Sequence, residues 1–162
     1  MKKSYKTFWA GLFLLLPLFA HATVALYLSG MGYNANGQLG NGTTSYFNTS
    51  PVLIAHDVIF IAAGGQHTLY IDANGMLWAT GSNSAGQLGD GTTTNRLSPV
   101  QVASGVASAA GGYTHSLFLK TDGTLWAMGD NQYGELGDGT TINRPSPVQV
   151  ASNRVLKKSQ WF

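Results

Sequence analysis

Gly81-Ser82-Asn83-Ser84-Ala85-Gly86-Gln87-Leu88-Gly89-Asp90-Gly91-Thr92-Thr93 decides the fold, because the chain carries this stretch three times. An earlier copy runs Gly32-Tyr33-Asn34-Ala35-Asn36-Gly37-Gln38-Leu39-Gly40-Asn41-Gly42-Thr43-Thr44, and a later one Gly129-Asp130-Asn131-Gln132-Tyr133-Gly134-Glu135-Leu136-Gly137-Asp138-Gly139-Thr140-Thr141. The copies lie 49 and then 48 residues apart. A fixed period of this size means an array of supersecondary units, none of which buries its apolar face alone.

Working outward, a second block lies between copies of the first. Gly64-Gly65-Gln66-His67-Thr68-Leu69 through Asn74-Gly75-Met76-Leu77-Trp78-Ala79 returns as Gly112-Tyr113-Thr114-His115-Ser116-Leu117 through Asp122-Gly123-Thr124-Leu125-Trp126-Ala127. Ser50-Pro51-Val52 likewise returns at Ser98 and Ser146. Within a unit, Val52–Ile54, Val58–Ala62, Thr68–Ile71 and Met76–Ala79 are short runs rich in β-branched, aromatic or aliphatic residues, separated by Gly, Asn, Asp and Pro. Asn74-Gly75 and Asp122-Gly123 predict tight hairpin turns in which both residues accept positive φ. The reading is all-β, with about four strands per unit, which is the pattern of a β-propeller blade.

The recurring Gly-x-Asn-x-x-Gly-Gln-Leu-Gly-x-Gly, Ser-Pro-Val, Gly-x-x-His-Ser/Thr-Leu and Asn/Asp-Gly-x-Leu-Trp-Ala motifs resemble the regulator of chromosome condensation repeat over residues 28 to about 151. That resemblance implies seven-bladed propellers for full-length members. Thr80 and Met128 depart from it where the family often has a second Trp, and Ser29 stands where Trp78 and Trp126 stand in later units. The chain holds under three units, whereas a closed ring takes about four blades or more. The expectation is therefore a partial β-propeller, an open arc of about three four-stranded blades, over residues 23–152, with units starting near 32, 81 and 129. At Asn153 the period fails, and residues 153–162 read as an aberrant tail, the mark of a truncated reading frame or of a terminal cap.

Lys2, Lys3 and Lys6, the apolar run Phe8–Ala20 and the small-x-small triplet Ala20-His21-Ala22 predict a secretory signal peptide at residues 1–22, cleaved after Ala22. Uncleaved, the run to Leu28 is long enough to act as an anchor, although Pro17 and His21 interrupt it. Cleavage predicts a secreted or periplasmic chain with no stable membrane insertion. There is no cysteine, so neither disulfides nor thiolate metal sites arise. Residues 23–153 carry only Arg96, Lys120 and Arg144 as basic side chains, against all seven acidic ones. A body with so few cations does not neutralise phosphates, which argues against nucleic-acid binding. The exchange and chromatin roles tied to some members of the family find no matching residues here.

No catalytic, cofactor or metal site is expected. Glu135 is the only glutamate, and Asp72, Asp90, Asp122 and Asp138 sit in turns. His67 and His115 are equivalent positions, read as structural histidines with hydrogen-bonded rings. Trp78 and Trp126 read as packing residues between blades. Gly40, Gly42, Gly89, Gly91, Gly137 and Gly139 read as structural positions of the repeated loop, whose Asn/Asp-Gly-Thr-Thr offers at most one carboxylate, none in the first copy, and falls short of a calcium site.

The function expected is a non-enzymatic, exported protein-interaction module, inhibitor-like in the special case, with no cofactor and a protein partner of unknown identity. The positions that vary between copies are its candidate contacts, Tyr33, Tyr46, Phe47, Arg96, Tyr133 and Arg144. The competing readings are a fragment of a longer propeller protein with no function of its own and, more weakly, an envelope polysaccharide-acting enzyme using Asp57 or Glu135. Open blade edges also predict self-association.

Overall fold

A computed structural model describes residues 12–15 and 26–152; the tail at 153–162, and the leader apart from 12–15, lie outside the described residues. The elements are β1 (Leu12–Leu15), β2 (Tyr27–Gly32), β3 (Asn48–His56), β4 (Val58–Ala63), β5 (His67–Asp72), β6 (Leu77–Gly81), β7 (Arg96–Ala103), β8 (Val106–Gly111), β9 (His115–Lys120), β10 (Leu125–Gly129) and β11 (Arg144–Ala151). They form three antiparallel sheets in the orders β1-β2-β3, β4-β5-β6-β7 and β8-β9-β10-β11. The described residues contain no helix. The protein is an arc of propeller blades.

The sheets are offset from the repeats of the sequence. A unit counted from Gly81 contributes the outer strand β7 to one sheet and the three inner strands β8–β10 to the next. In the first sheet, β1 holds the place that β5 and β9 hold in the others. Leu12-Phe13-Leu14 repeats Leu117-Phe118-Leu119, and it meets Gly30, Ser29 and Leu28 in the register in which β9 meets Ala127, Trp126 and Leu125.

The strands run longer than the apolar runs suggest. β3 continues from Val52 back through Pro51 to Asn48. Proline is tolerated because β3 is an outer strand, and a register shift between Gly30 and Gly32 relieves the ladder there. The hairpins also differ from the expected two-residue turns. Gly75 and Gly123 have positive φ, but Asn74 and Asp122 do not. Asp72 instead closes a wider turn: its N–H donates to Met76 O, and its Oδ1 accepts from the N–H groups of Asn74 and Met76. Among the described residues the one non-glycine with positive φ is Asp57 (55°), at the tight β3–β4 link where the next unit has Gly105.

Burial lies between sheets. Leu69, Ile71, Leu77, Ala79 and Leu88 pack against Val106, Phe118 and Met128 of the next sheet. A smaller cluster joins Leu28 of the first sheet to Val58 and Tyr70 of the second. Strand β5 is buried from His67 to Ile71, so side chains on both its faces are covered, as a strand between two neighbours requires. Each large side chain so buried contributes roughly 1.5–3 kcal/mol.

Candidate functional site

The loop from Ser82 to Asn95, joining β6 to β7, is built on one asparagine. Asn83 is fully buried. Its Nδ2 donates to Asp90 Oδ1 (3.0 Å), Thr92 O (3.0 Å) and Thr94 O (3.1 Å), while its Oδ1 accepts from Leu88 N (2.9 Å). Asn131 repeats this set with Asp138, Thr140, Ile142 and Leu136, and Asn34 repeats its centre with Asn41, Thr43 and Leu39. The loop backbone thus finds partners inside the loop, as buried polar groups must. These asparagines were legible as a position identical in all three copies, but their role as hubs needed the geometry.

Arg96 and Arg144, expected as partner contacts, are held within the scaffold. Arg96 Nε donates to Asp90 Oδ2, and Arg144 Nε to Asp138 Oδ2 at 2.6 Å. Burial pushes the Asp90 carboxyl up, but hydrogen bonds from Thr92, Arg96 and Asn83 outweigh it and hold the group below the usual carboxylate range. Asp138 is held low chiefly by the Thr140 hydroxyl, with Arg144 and Asn131 adding to it. The paired signal was in the sequence: Asp and Arg stand six apart in the second and third units and are both absent from the first.

The first loop replaces that ion pair with aromatic surface. Asn41 stands in the aspartate's place, Asn48 in the arginine's, and one extra residue lengthens the link. Tyr33 and Tyr46 meet edge to face at 5.9 Å, and Phe47 beside them is 84% exposed. Next to this ledge, a cleft of about 400 Å³ between the first and second sheets is lined by Tyr33, Gln38, Gln66, His67 and Thr68 among others. Tyr133 stands in the last loop, 90% exposed. The structure therefore groups Tyr33, Tyr46 and Phe47 and keeps Tyr133, Arg96 and Arg144 on other loops.

His67 serves the contact between sheets. Ser116 Oγ donates to Gln87 O (2.7 Å), so the 2.8 Å contact with His67 has Nε2–H as donor and Ser116 Oγ as acceptor. His67 Nδ1 is then a bare, buried acceptor with no partner among the described residues. Burial, then His115 nearby, pulls the ring down to about pKa 4, so it is neutral at pH 7. A serine already committed to a carbonyl, beside such a ring, is not an activated nucleophile. Gly64 lies under the ring of His67, and Gly112 under that of His115: a Cβ on either would fall about 2.0–2.7 Å from ring atoms.

Trp78 stacks on Tyr70 and donates to Asp72 Oδ2 (3.0 Å); Trp126 stacks on Phe118 and donates to Thr124 Oγ1 (2.8 Å). Both rings lie against the clusters that join neighbouring sheets. Glu135 accepts from Tyr133 N within its own turn. Gly40 and Gly89 are covered by the next sheet, Gly42 and Gly91 lie near its Ser98 and Ser146, and Gly137 and Gly139 have nothing described against them. Among the described residues no three His, Asp or Glu side chains converge on a metal-sized site.

Comparison with known proteins agrees with this architecture. The model of the regulator of chromosome condensation (RCC1) repeat matches residues 29–71, 74–119 and 122–160. The Regulator of chromosome condensation of Xenopus laevis is 34% identical over 76 residues, which are 46% of this chain and 18% of that protein. Among solved structures, human WBSCR16 superposes with a TM-score of 0.68 at 22% identity, covering 87% of this chain and 37% of that one. Prp20p of Saccharomyces cerevisiae, studied for its binding to Gsp1p and histones, gives 0.71 at 19%, covering 90% and 37%. The chain thus spans under a fifth of that curated relative and little over a third of these solved propellers.

Proposed function

This chain belongs to the regulator of chromosome condensation (RCC1) repeat family, and we propose that it is an exported, non-enzymatic binder of another protein. The observation that carries the reading is the ledge of Tyr33, Tyr46 and Phe47. In the other two loops an Asp–Arg ion pair closes the loop upon itself, whereas the first has asparagines at those two positions and gathers exposed rings. Exposed aromatics on a rigid loop offer large contact area at low entropic cost, as interface anchors do. The binding of Gsp1p and histones studied for Prp20p supports the class of activity, protein recognition, without carrying its partners to this chain. Residues 1–22 would route the chain to the envelope or medium, and an extracellular or envelope protein is the partner that fits. Inhibition of an extracellular enzyme is the special case in which the ledge covers an active site.

The test is affinity capture from the envelope and secreted fractions with the wild-type chain and with a Tyr46→Ser, Phe47→Ser variant. A partner held by the wild type and lost at least about tenfold by the variant supports the reading. Equal capture by both, or none by either, refutes it. Fractionation of cells expressing the whole chain, with N-terminal sequencing of the exported form, checks export and cleavage separately.

A further inference from the structure

Each sheet meets the next through one repeated contact, and both of its sides are visible twice. On one side lies the glycine-rich loop: Gly37 sits under Leu97 and Gly86 under Pro145, so closely that a Cβ would fall 2.6 and 2.4 Å from them. The same loops donate from Gly42 N to Leu97 O (2.8 Å) and from Gly91 N to Pro145 O (2.9 Å). On the other side lie the start of the outer strand and one residue of its neighbour: Thr80 and Met128 are fully buried, against Gly40 and Gly89 respectively.

The last loop keeps this shape with no neighbour among the described residues. Gly134, Gly137 and Gly139 have φ of 80°, 70° and 79°, within a few degrees of their counterparts, yet no described atom lies within 4 Å of where a Cβ would stand. The first sheet keeps the opposite side: Thr49, Ser50 and Pro51 at the start of β3 are exposed, and Met31, in the place of Thr80 and Met128, is only half-buried. Thr49 corresponds to Leu97 and Pro145, and Ser50 to Ser98 and Ser146.

We propose that these two surfaces bind each other between copies: the Gly134–Gly139 loop of one chain seats Thr49–Pro51 of a second chain, head to tail. The occupant is a second copy because its β3 carries near its start the Ser-Pro-Val that follows the seated residue twice within one molecule, and that residue, Leu97 in one case and Pro145 in the other, already varies. Gly139 N takes Thr49 O of the second copy as Gly42 N takes Leu97 O. The contact is made of backbone groups and uncharged side chains, so no charge is stranded; Glu135 is tied to its own turn. It uses different surfaces on each copy, so copies either close into a ring or lengthen into a chain.

The test uses the full 162-residue protein, whose lack of cysteine makes cross-linking clean. A Cβ on Gly91 would lie 3.5 Å from Ser146 Oγ, within disulfide reach, so a Gly91→Cys, Ser146→Cys chain is the internal control. Mixing a Gly139→Cys chain with a Ser50→Cys chain is expected to give the mixed dimer in excess over either like pair. Pro51→Arg, on an exposed residue, is expected to weaken self-association by about tenfold or more in sedimentation while leaving thermal unfolding of the monomer unchanged. A chain monomeric at about 100 µM, association untouched by Pro51→Arg, or cross-linking of like pairs alone would overturn it.

Discussion

Asn83→Ala tests whether the asparagine hub holds the loop. The substitution removes an acceptor from Leu88 N, which is buried, and a donor from Thr92 O, Thr94 O and Asp90. Orphaning the Leu88 N–H costs about 1–3 kcal/mol, and each carbonyl, nearer to water, about 0.5. The expected loss is about 3 kcal/mol, a large share of the roughly 5–15 kcal/mol that holds a domain together. For a chain of this size that lowers Tm by about 10 °C. Asn83→Asp separates donor from acceptor: it still accepts from Leu88 but places a second carboxylate about where Nδ2 now meets Asp90 at 3.0 Å. It should be at least as harmful at pH 7 and recover part of the loss as the pair shares a proton in acid. Urea unfolding at fixed protein concentration measures both. A loss under about 1 kcal/mol for Asn83→Ala, at unchanged m, would refute the hub.

Three further expectations concern the scaffold. The folded His67 titrates near 4 against 6.5 when unfolded, so the unfolded chain binds more protons between those values; stability is full above pH 6.5 and falls by up to about 3 kcal/mol as pH drops to about 4. Urea midpoints across that window should flatten in His67→Gln, and an unchanged slope counts against it. Asp90→Asn should cost no more than about 1 kcal/mol, because Asn41 already accepts from Asn34 Nδ2 and Thr43 in the first loop and only the half-exposed Arg96 pair is lost; a loss above about 3 in the same titration would contradict this. Gly129→Ala adds a Cβ 2.6 Å from Thr114 O at φ 107°, whereas at Gly75 the nearest atom is 3.8 Å away, so thermal scans should show about 3 kcal/mol lost at the first and about 1 at the second. Equal losses would mean that the close approach is not what selects glycine at 129.

Periodicity made the blades legible because each motif is needed locally: glycine where φ turns positive, apolar pairs where a strand is covered on both sides. The same periodicity concealed where a sheet begins, since a repeat looks alike from any starting point; only pairing showed that β7 joins β6 rather than β8. Tyr33, Tyr46 and Phe47 stood out as differences between copies, and their grouping follows from two hairpin arms that the sequence places 13 residues apart. Arg96 and Arg144 also differ from the first copy, but there the difference marks an internal pair. Variation alone does not distinguish a surface from a substituted strut; the aspartate six residues earlier does.

The offset between repeat and sheet bears on how such genes change length. β7 (RLSPVQVA) and β11 (RPSPVQVA) differ at one position, and each follows a loop of the same design. Removing the 48 residues from Gly81 to Met128 joins β6 to Gly129 and delivers β11 to the edge that β7 had filled. Every strand keeps a partner of its own kind, so unequal recombination between repeats adds or deletes whole blades without a half-built sheet at the junction. Such a deletion shortens the arc by one whole blade and leaves the remaining strands as well paired as before.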